Sequence, residues 1–253
     1  MQMIPYFQIQ PFQFLSLSIH LFEILTSIGI WLGISTTLRD AQNKKLQIKT
    51  VIDALMVSIG FGFFGAHWMH VWFYEGDFTH PLRLIELWKG ISSTGGLLIG
   101  ACACWIFLRV KRVPILMYGD PILHGLVVAM FWGRLGCTVA HDHLGRLTTF
   151  PLAVQYSEGT RHNLGMYEAI LLGLFLIIVH RKKIRTWLYE KPGRWTCILT
   201  LFYGIIRFLL DFLRADDLSV SDPRYAGLTP AQYVCILFVF AGVCLIYKKQ
   251  VIK

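Results

Sequence analysis

The chain has 253 residues, of which 55% are hydrophobic, 14% aromatic and only 15% charged, and its mean hydropathy is +0.54. At that balance a soluble domain lacks the polar residues to cover its surface, so the composition points to an integral membrane protein. The formal net charge of +9 comes in short basic clusters between apolar runs. That is how topology signals are distributed, and no nucleic-acid partner is expected.

Apolar stretches near the ~20 residues that cross a bilayer begin, in chain order, near Phe14, Val51, Ile91, Tyr118, Met166, Trp195 and Thr229. They predict an all-α bundle of seven transmembrane helices, one domain over residues 1–253 without internal repeat or linker. The opening "MQMIPYFQIQPFQF" carries no basic residue ahead of its apolar run, so the first segment is expected to be retained rather than cleaved. The fourth helix is predicted to open on Asp120 and Pro121, and the seventh on Thr229, Pro230 and Gln232. Both pair a capping side chain with a first-turn proline. The six cysteines, Cys102, Cys104, Cys137, Cys197, Cys235 and Cys244, form no CxxC unit and read as buried apolar side chains rather than as a zinc site or disulfide framework.

The basic residues orient the bundle. Arg39, Lys44, Lys45, Lys49, Arg109, Lys111, Arg112, Arg181, Lys182, Lys183, Arg185, Lys191, Arg194, Lys248, Lys249 and Lys253 fall on one side, sixteen of the 24. That side is expected to be cytoplasmic, with the N-terminus outside and the C-terminus inside. Ionisable groups within spans cost several kcal/mol unless paired or hydrated, and here they gather at the external end: His20 and Glu23, His67 and His70, Arg134, Glu168, and Arg207. Five helices contribute at one depth, which predicts a site in the outer leaflet.

In "YGIIRFLLDFLRADD" the spacing of Arg207, Asp211 and Arg214 stacks them on one helical face as an alternating ladder. Asp211 would orient a guanidinium whose planar fork matches an oxyanion such as phosphate. In "GRLGCTVAHDHLGR", residues 133–146, Gly133 and Gly136 flank Arg134 and are expected to let backbone approach closely. His141, Asp142 and His143 fit three readings: a metal unit completed by His162 or Glu168, general acid/base groups, or a hydrated interfacial turn. No metal site and no cofactor is assigned.

With "GRLG" followed by Gly145 and Arg146, and then "RHNLGMYEA", the chain resembles bacterial prolipoprotein diacylglyceryl transferases. Their signature, approximately G-R-[IL]-G-N-F-[IV]-N-G-E-x-[WYF]-G-R, has the length of residues 133–146. Gly133, Arg134, Gly136, Gly145 and Arg146 match, and Asp142 stands at the glutamate. His162, Tyr167 and Glu168 keep the spacing of H-P-S-Q-L-Y-E, and Arg207, Asp211 and Arg214 that of R-x-x-x-E-x-x-R. "TGGLLIG" at 94–100 and "SIHLF" at 18–22 are similar to the third and first helices of the family, so the likeness spans the whole chain. Departures are Thr94 for the histidine before the glycine pair, Phe22 for a tyrosine, Cys137 and Ala140 for signature asparagines, His67 where a basic residue is expected, and the added His141 and His143.

The resemblance implies a multi-pass protein of the bacterial inner membrane. It implies transfer of diacylglyceryl from phosphatidylglycerol to the lipobox cysteine of a prolipoprotein signal peptide, releasing glycerol phosphate, with membrane lipids and the prolipoprotein as partners. Arg134 and Arg207 then correspond to phosphate-binding residues, Asp211 and Arg214 would hold Arg207, and Arg146 would gate or bind the head group. His162, or His141 or His143 in place of the histidine missing at Thr94, is the expected base for the thiol. The rival readings are a non-catalytic phospholipid-binding paralogue, a metal-dependent hydrolase on His141, His143 and His162, and a transporter, the last weakened because the chain has no inverted repeat.

Overall fold

The computed structural model describes residues 3–14, 17–75, 86, 90–218 and 221–247. Strands β1 (Ile4–Pro5), β2 (Phe12–Phe14) and β3 (Leu17–Ile19) precede helix α1 (Leu21–Asn43). Helix α2 (Ile48–His70) continues as a π-helical turn, Val71–Glu75, and α3 (Ser93–Val110) and α4 (Ile115–Ala140) follow. Strands β4 (Leu144–Leu147), β5 (Val154–Tyr156) and β6 (Gly159–Asn163) lead into α5 (Leu164–Val179) and α6 (Lys182–Glu190). Helix α7 (Arg194–Leu210) tightens into a 3-10 turn, Asp211–Leu213, and α8 (Pro230–Tyr247) closes the bundle.

Six helices, α1 to α4, α7 and α8, are each long and apolar enough to cross a membrane, and the pair α5 and α6 qualifies as a seventh only as a span bent by 82°. The bend follows the sequence. At ~1.5 Å per residue the 16 residues of α5 reach ~24 Å, short of a ~30 Å hydrocarbon core, and the run His180, Arg181, Lys182, Lys183 ends the apolar stretch. Helix α6 then exposes Lys182, Lys183 and Arg185 while Leu188 is buried and Ile184 and Tyr189 pack on the core, the pattern of an amphipathic helix lying along a membrane surface. The bundle is not wholly α-helical. A four-stranded sheet in the order β1-β5-β6-β4 and an antiparallel pair of β2 and β3 sit at one end, and the pairing of Phe12–Phe14 with Leu17–Ile19 is why α1 starts at Leu21 rather than near Phe14.

Close helix crossings depend on missing side chains. A Cβ on Gly33 would lie 2.7 Å from the carbonyl oxygen of Gly125, and one on Gly95 2.7 Å from that of Gly65. These contacts seat α1 against α4 and α2 against α3, as small residues do between membrane helices. The pair Gly95 and Gly96 therefore serves a helix crossing.

The seventh-helix cap is as expected: Thr229 N donates to Gln232 Oε1 at 2.9 Å while Gln232 N donates to Thr229 Oγ1 at 3.2 Å, a reciprocal capping box. Asp120 is not the cap of its own helix, because α4 begins five residues earlier, after Pro114. Its buried carboxylate instead accepts from Gly193 N (2.7 Å), Thr196 N (3.0 Å) and Thr196 Oγ1 (2.8 Å), capping α7 across the bundle. Nearby, Asp40 and His124 pair at 2.6 Å, Tyr189 donates to the same carboxylate, and His124 stacks on Trp195 at 4.3 Å.

The antiparallel helices bring the starts of α1, α3, α5 and α8 and the ends of α2, α4 and α7 to the sheet end. Phe22 packs on Gly136, Ala66 O accepts from Ser92 N at 2.9 Å, and Gly165 abuts Cys137. The described basic residues from Arg39 to Lys49, Arg109 to Arg112 and Arg181 to Arg194 flank the opposite end, whereas Lys248, Lys249 and Lys253 lie outside the described residues.

Candidate active site

Of the polar residues that the sequence placed at one depth, Arg134, Glu168 and Arg207 meet below the sheet. Arg134, in the last turns of α4, is buried, and its Nε donates to Glu168 Oε1 at 2.9 Å. Glu168, in the first turns of α5, also accepts from Tyr203 OH at 3.0 Å and faces Arg207 Nη1 at 3.7 Å through its other oxygen. Arg207 donates through Nη2 to Asp211 Oδ1 at 3.1 Å, and Arg214 Nε reaches the same oxygen at 3.2 Å. Arg214 Nη1 lies 2.8 Å from Asp222, and Thr229 Oγ1 donates to Asp211 Oδ2. The chain of alternating charges Arg134–Glu168–Arg207–Asp211–Arg214–Asp222 thus joins α4, α5, α7 and the loop before α8.

Burial makes this arrangement informative. Each ion taken from water costs several kcal/mol that only close, well-bonded partners recover, and here every arginine has a carboxylate. The expected ladder is present as ion pairs, although α7 ends at Leu210 and Arg214 is extended. The carboxylates use only part of the Arg207 guanidinium, whose Nε has no partner among the described residues. Two buried, oriented forks, one with a donor to spare, suit an oxyanion.

The glycine expectation holds for one residue of two. A Cβ on Gly136 would come within 3.0 Å of the Phe22 ring and 3.2 Å of its carbonyl oxygen, but one on Gly133 would meet nothing within 4 Å. Gly145 is also constrained, its Cβ position lying 2.6 Å from His162 Cβ and 2.7 Å from Leu213 O.

The histidines separate. His141, the left-handed residue that ends α4, spends both ring nitrogens: Nδ1 lies 3.0 Å from Tyr156 OH and 3.2 Å from Asn163 Nδ2, and Nε2 lies 3.0 Å from Phe7 O. With two donors at Nδ1, the proton resides on Nε2, so His141 pins the N-terminal segment to the sheet and is free for neither ligand nor base duty. His162 Nδ1 lies 2.9 Å from Tyr167 OH, and the ring lines an apolar groove with Phe150, Leu152, Ile170 and Leu213. Burial lowers its pKa.

His143 turns toward the arginines, alongside Asp142 and Cys137, whose ligating atoms lie within 4.8 Å of one another. Burial, followed by the guanidiniums of Arg134, Arg214 and Arg207, pushes its pKa down to about 2. Both effects favour the neutral imidazole. Burial also raises the pKa of Asp142.

Arg146 lies at the surface, paired with Asp216 at 2.7 Å, and His20 and Glu23 cap α1, the carboxylate accepting from His20 N at 2.9 Å. His67 Nδ1 lies 3.0 Å from Gly90 O, and Thr94 is buried in the first turn of α3. Residues missed by sequence reasoning are Tyr203, Asp222, Thr229 and Arg161, which grips Asp217 at 2.9 and 2.5 Å and ties the sheet to the loop after α7. Tyr203 carried a signal, since it lies four residues before Arg207 on the same helical face.

A family model described as prolipoprotein diacylglyceryl transferase matches residues 10–248. The chain belongs to the prolipoprotein diacylglyceryl transferase family. Among curated relatives, the phosphatidylglycerol–prolipoprotein diacylglyceryl transferase of Finegoldia magna is 26% identical over 251 residues, 96% of each chain. The enzymes of that name from a Wolbachia endosymbiont of Brugia malayi and from Streptococcus sanguinis are 29% identical over 235 residues and 25% over 252, covering 89% of this chain and 89% of the former, and 92% of this chain and 93% of the latter. Membership fits the buried arginine network, because the matching residues of the family signature, Arg134, Glu168, Arg207, Asp211 and Arg214, are those brought together. Cys137, where the signature has asparagine, sits at the heart of this family member's site, with its Sγ 3.8 Å from Arg134 Nη1.

Proposed function

We propose that this protein transfers the diacylglyceryl group of phosphatidylglycerol to the lipobox cysteine of a prolipoprotein, at the outer leaflet of the bacterial inner membrane. The single chain acts as one transferase domain, with the sheet end external and the basic end cytoplasmic. The observation that carries this reading is the pair Arg134 and Arg207, both buried and both held on Glu168. Displacement at the glyceryl carbon leaves negative charge on the departing phosphate, and preorganised guanidiniums in a water-poor site stabilise that charge most as the bond breaks.

Two lateral apolar grooves support a lipid substrate. One, of about 410 Å³, runs between α2, α3 and α8 beside Trp68, Trp72 and Leu237, and the other, of about 450 Å³, passes His162, Tyr167 and Leu210. Acyl chains fit surfaces of this kind, and the second groove approaches the arginine network at Leu210 and Leu213. His162 at its wall meets substrate, and Arg146 and Arg214 border the loop over the site. Complementation of a bacterial strain lacking its own transferase tests the reading. Restored lipoprotein maturation is expected, lost with Arg134→Ala, and failure of the wild-type chain, inserted and folded, would favour a phospholipid-binding paralogue.

A further inference from the structure

The helix that carries Arg134 ends in a tight reversal. His141 takes the left-handed conformation (φ 54°), and the chain doubles back so that Asp142 and His143 lie over Cys137, one turn beneath. A thiol, a carboxylate and an imidazole are thereby gathered with ligating atoms within 4.8 Å of one another. Cys137 is buried, His143 partly so, and Asp142 is open on one side, leaving a face for a fourth ligand.

Resting on the proposed transferase function, we propose that Cys137, Asp142 and His143 bind a zinc ion whose open fourth position takes the acceptor cysteine of the prolipoprotein as a thiolate. Sulfur, nitrogen and oxygen donors of these types suit zinc, and three protein ligands with one free position is the pattern of reactive rather than structural sites. Bonds of ~2.0–2.3 Å set tetrahedral ligands roughly 3.3–3.8 Å apart. Closing from 4.8 Å requires about 1 Å of adjustment, which the half-exposed Asp142 can supply.

Two further observations support the site. His143 Nδ1 lies 3.8 Å from Asp142 Oδ1 and 3.2 Å from the carbonyl oxygen of the same residue, which sets an imidazole nitrogen beside the carboxylate donor. The charge count also admits a dication. Arg134, Arg207 and Arg214 are met by Glu168, Asp211 and Asp222 one for one, and Asp142 with a Cys137 thiolate adds two negative charges that Zn²⁺ cancels.

The chemistry balances without another reactant. The acceptor thiol loses its proton to solvent as sulfur coordinates, since a coordinated thiol is deprotonated outright. The thiolate lone pair then forms the S–C bond at the glyceryl carbon while the C–O bond to phosphate breaks. That electron pair leaves on the phosphate oxygen of glycerol phosphate, held by Arg134 and Arg207, and the neutral thioether, a weaker ligand, leaves the metal.

Full-length protein in detergent, stripped of metal and titrated with Zn²⁺, is expected to bind one equivalent. Cys137→Ser and His143→Gln should each weaken binding more than about 100-fold, beyond the 10–100-fold typical of losing an outer partner. With Co²⁺ in place of Zn²⁺, the wild-type protein should show thiolate charge-transfer absorption that increases when a lipobox peptide is added and not when its cysteine is serine. This arm needs no variant. Transfer of diacylglyceryl to the peptide should fall on chelation and return with Zn²⁺. Transfer that is undiminished in metal-stripped protein, zinc binding unchanged by Cys137→Ser, or a Co²⁺ spectrum indifferent to the peptide would overturn the zinc site while leaving the transferase intact. Cys137-dependent metal binding with no transfer under any condition would instead overturn the transferase function.

Discussion

Glu168 is the single carboxylate on which both phosphate-site arginines rest, and Glu168→Gln changes its charge with almost no change of shape. In the native protein it holds Arg134 at 2.9 Å, Tyr203 at 3.0 Å and Arg207 at 3.7 Å, at 1% exposure. Removing one partner of a buried ion pair costs about 3–5 kcal/mol, because the remaining charge stays desolvated. The glutamine oxygen still accepts from Arg134, so the lower end applies, about 3 kcal/mol. For a chain of this size each kcal/mol moves the melting temperature by about 2–4 °C, giving a fall of roughly 6–12 °C. Thermal unfolding of detergent-solubilised protein at a fixed scan rate measures it, with Glu168→Asp, which keeps the charge, losing less. Diacylglyceryl transfer should fall with the melting temperature, because the arginines lose the group that aims them. A glutamine variant that melts within about 2 °C of wild type and transfers at the wild-type rate would refute the reasoning.

Arg134→Ala and Arg207→Ala are each expected to reduce transfer by at least about 100-fold, the scale for losing one preorganised charge-stabilising donor, while the protein still inserts; activity assays on membranes with matched protein levels decide it. Gly136→Ala should destabilise the bundle by about 1–3 kcal/mol by crowding Phe22, whereas Gly133→Ala, facing open space, should leave the melting temperature within about 2 °C of wild type. His143 is held neutral to about pH 2 in the folded chain but protonates near pH 6.5 when unfolded. In the metal-free protein its contribution is therefore present above pH 6.5 and is lost as pH falls toward 2, by up to about 1.4 kcal/mol per pH unit. Melting at pH 7 and pH 5 should show a pH-dependent loss that His143→Gln reduces.

The spans and the arginine site were legible in the sequence for a simple reason: both are written in local chemistry. Apolar runs of bilayer length fix the helices, and ionisable residues inside them are costly enough that Arg134, Glu168 and Arg207 had to converge. What stayed hidden depended on long-range contact. Asp120 looks like the cap of its own helix because its proline follows it, yet its partners are Gly193 and Thr196, more than seventy residues away. The pairing of Asp40 with His124 and Tyr189 is of the same kind. His141 and His143 are equivalent in an HxH pattern, and only the left-handed turn at His141 separates a ring that ties the sheet from one that faces the arginines. Cys137 read as an apolar side chain because its neighbours, Asp142 and His143, reach it by chain reversal rather than by helical spacing. The strands were too short, at two to five residues, to carry a pattern of alternation.

The central claim, that the buried arginines serve a diacylglyceryl transfer to a thiol, is tested most directly with purified protein, phosphatidylglycerol and a lipobox peptide, following the peptide by mass. Addition of one diacylglyceryl group to the cysteine peptide, with release of an equal amount of glycerol phosphate and none with the serine peptide, is the predicted result. Unmodified peptide in the presence of folded, lipid-loaded and zinc-supplied protein would contradict it.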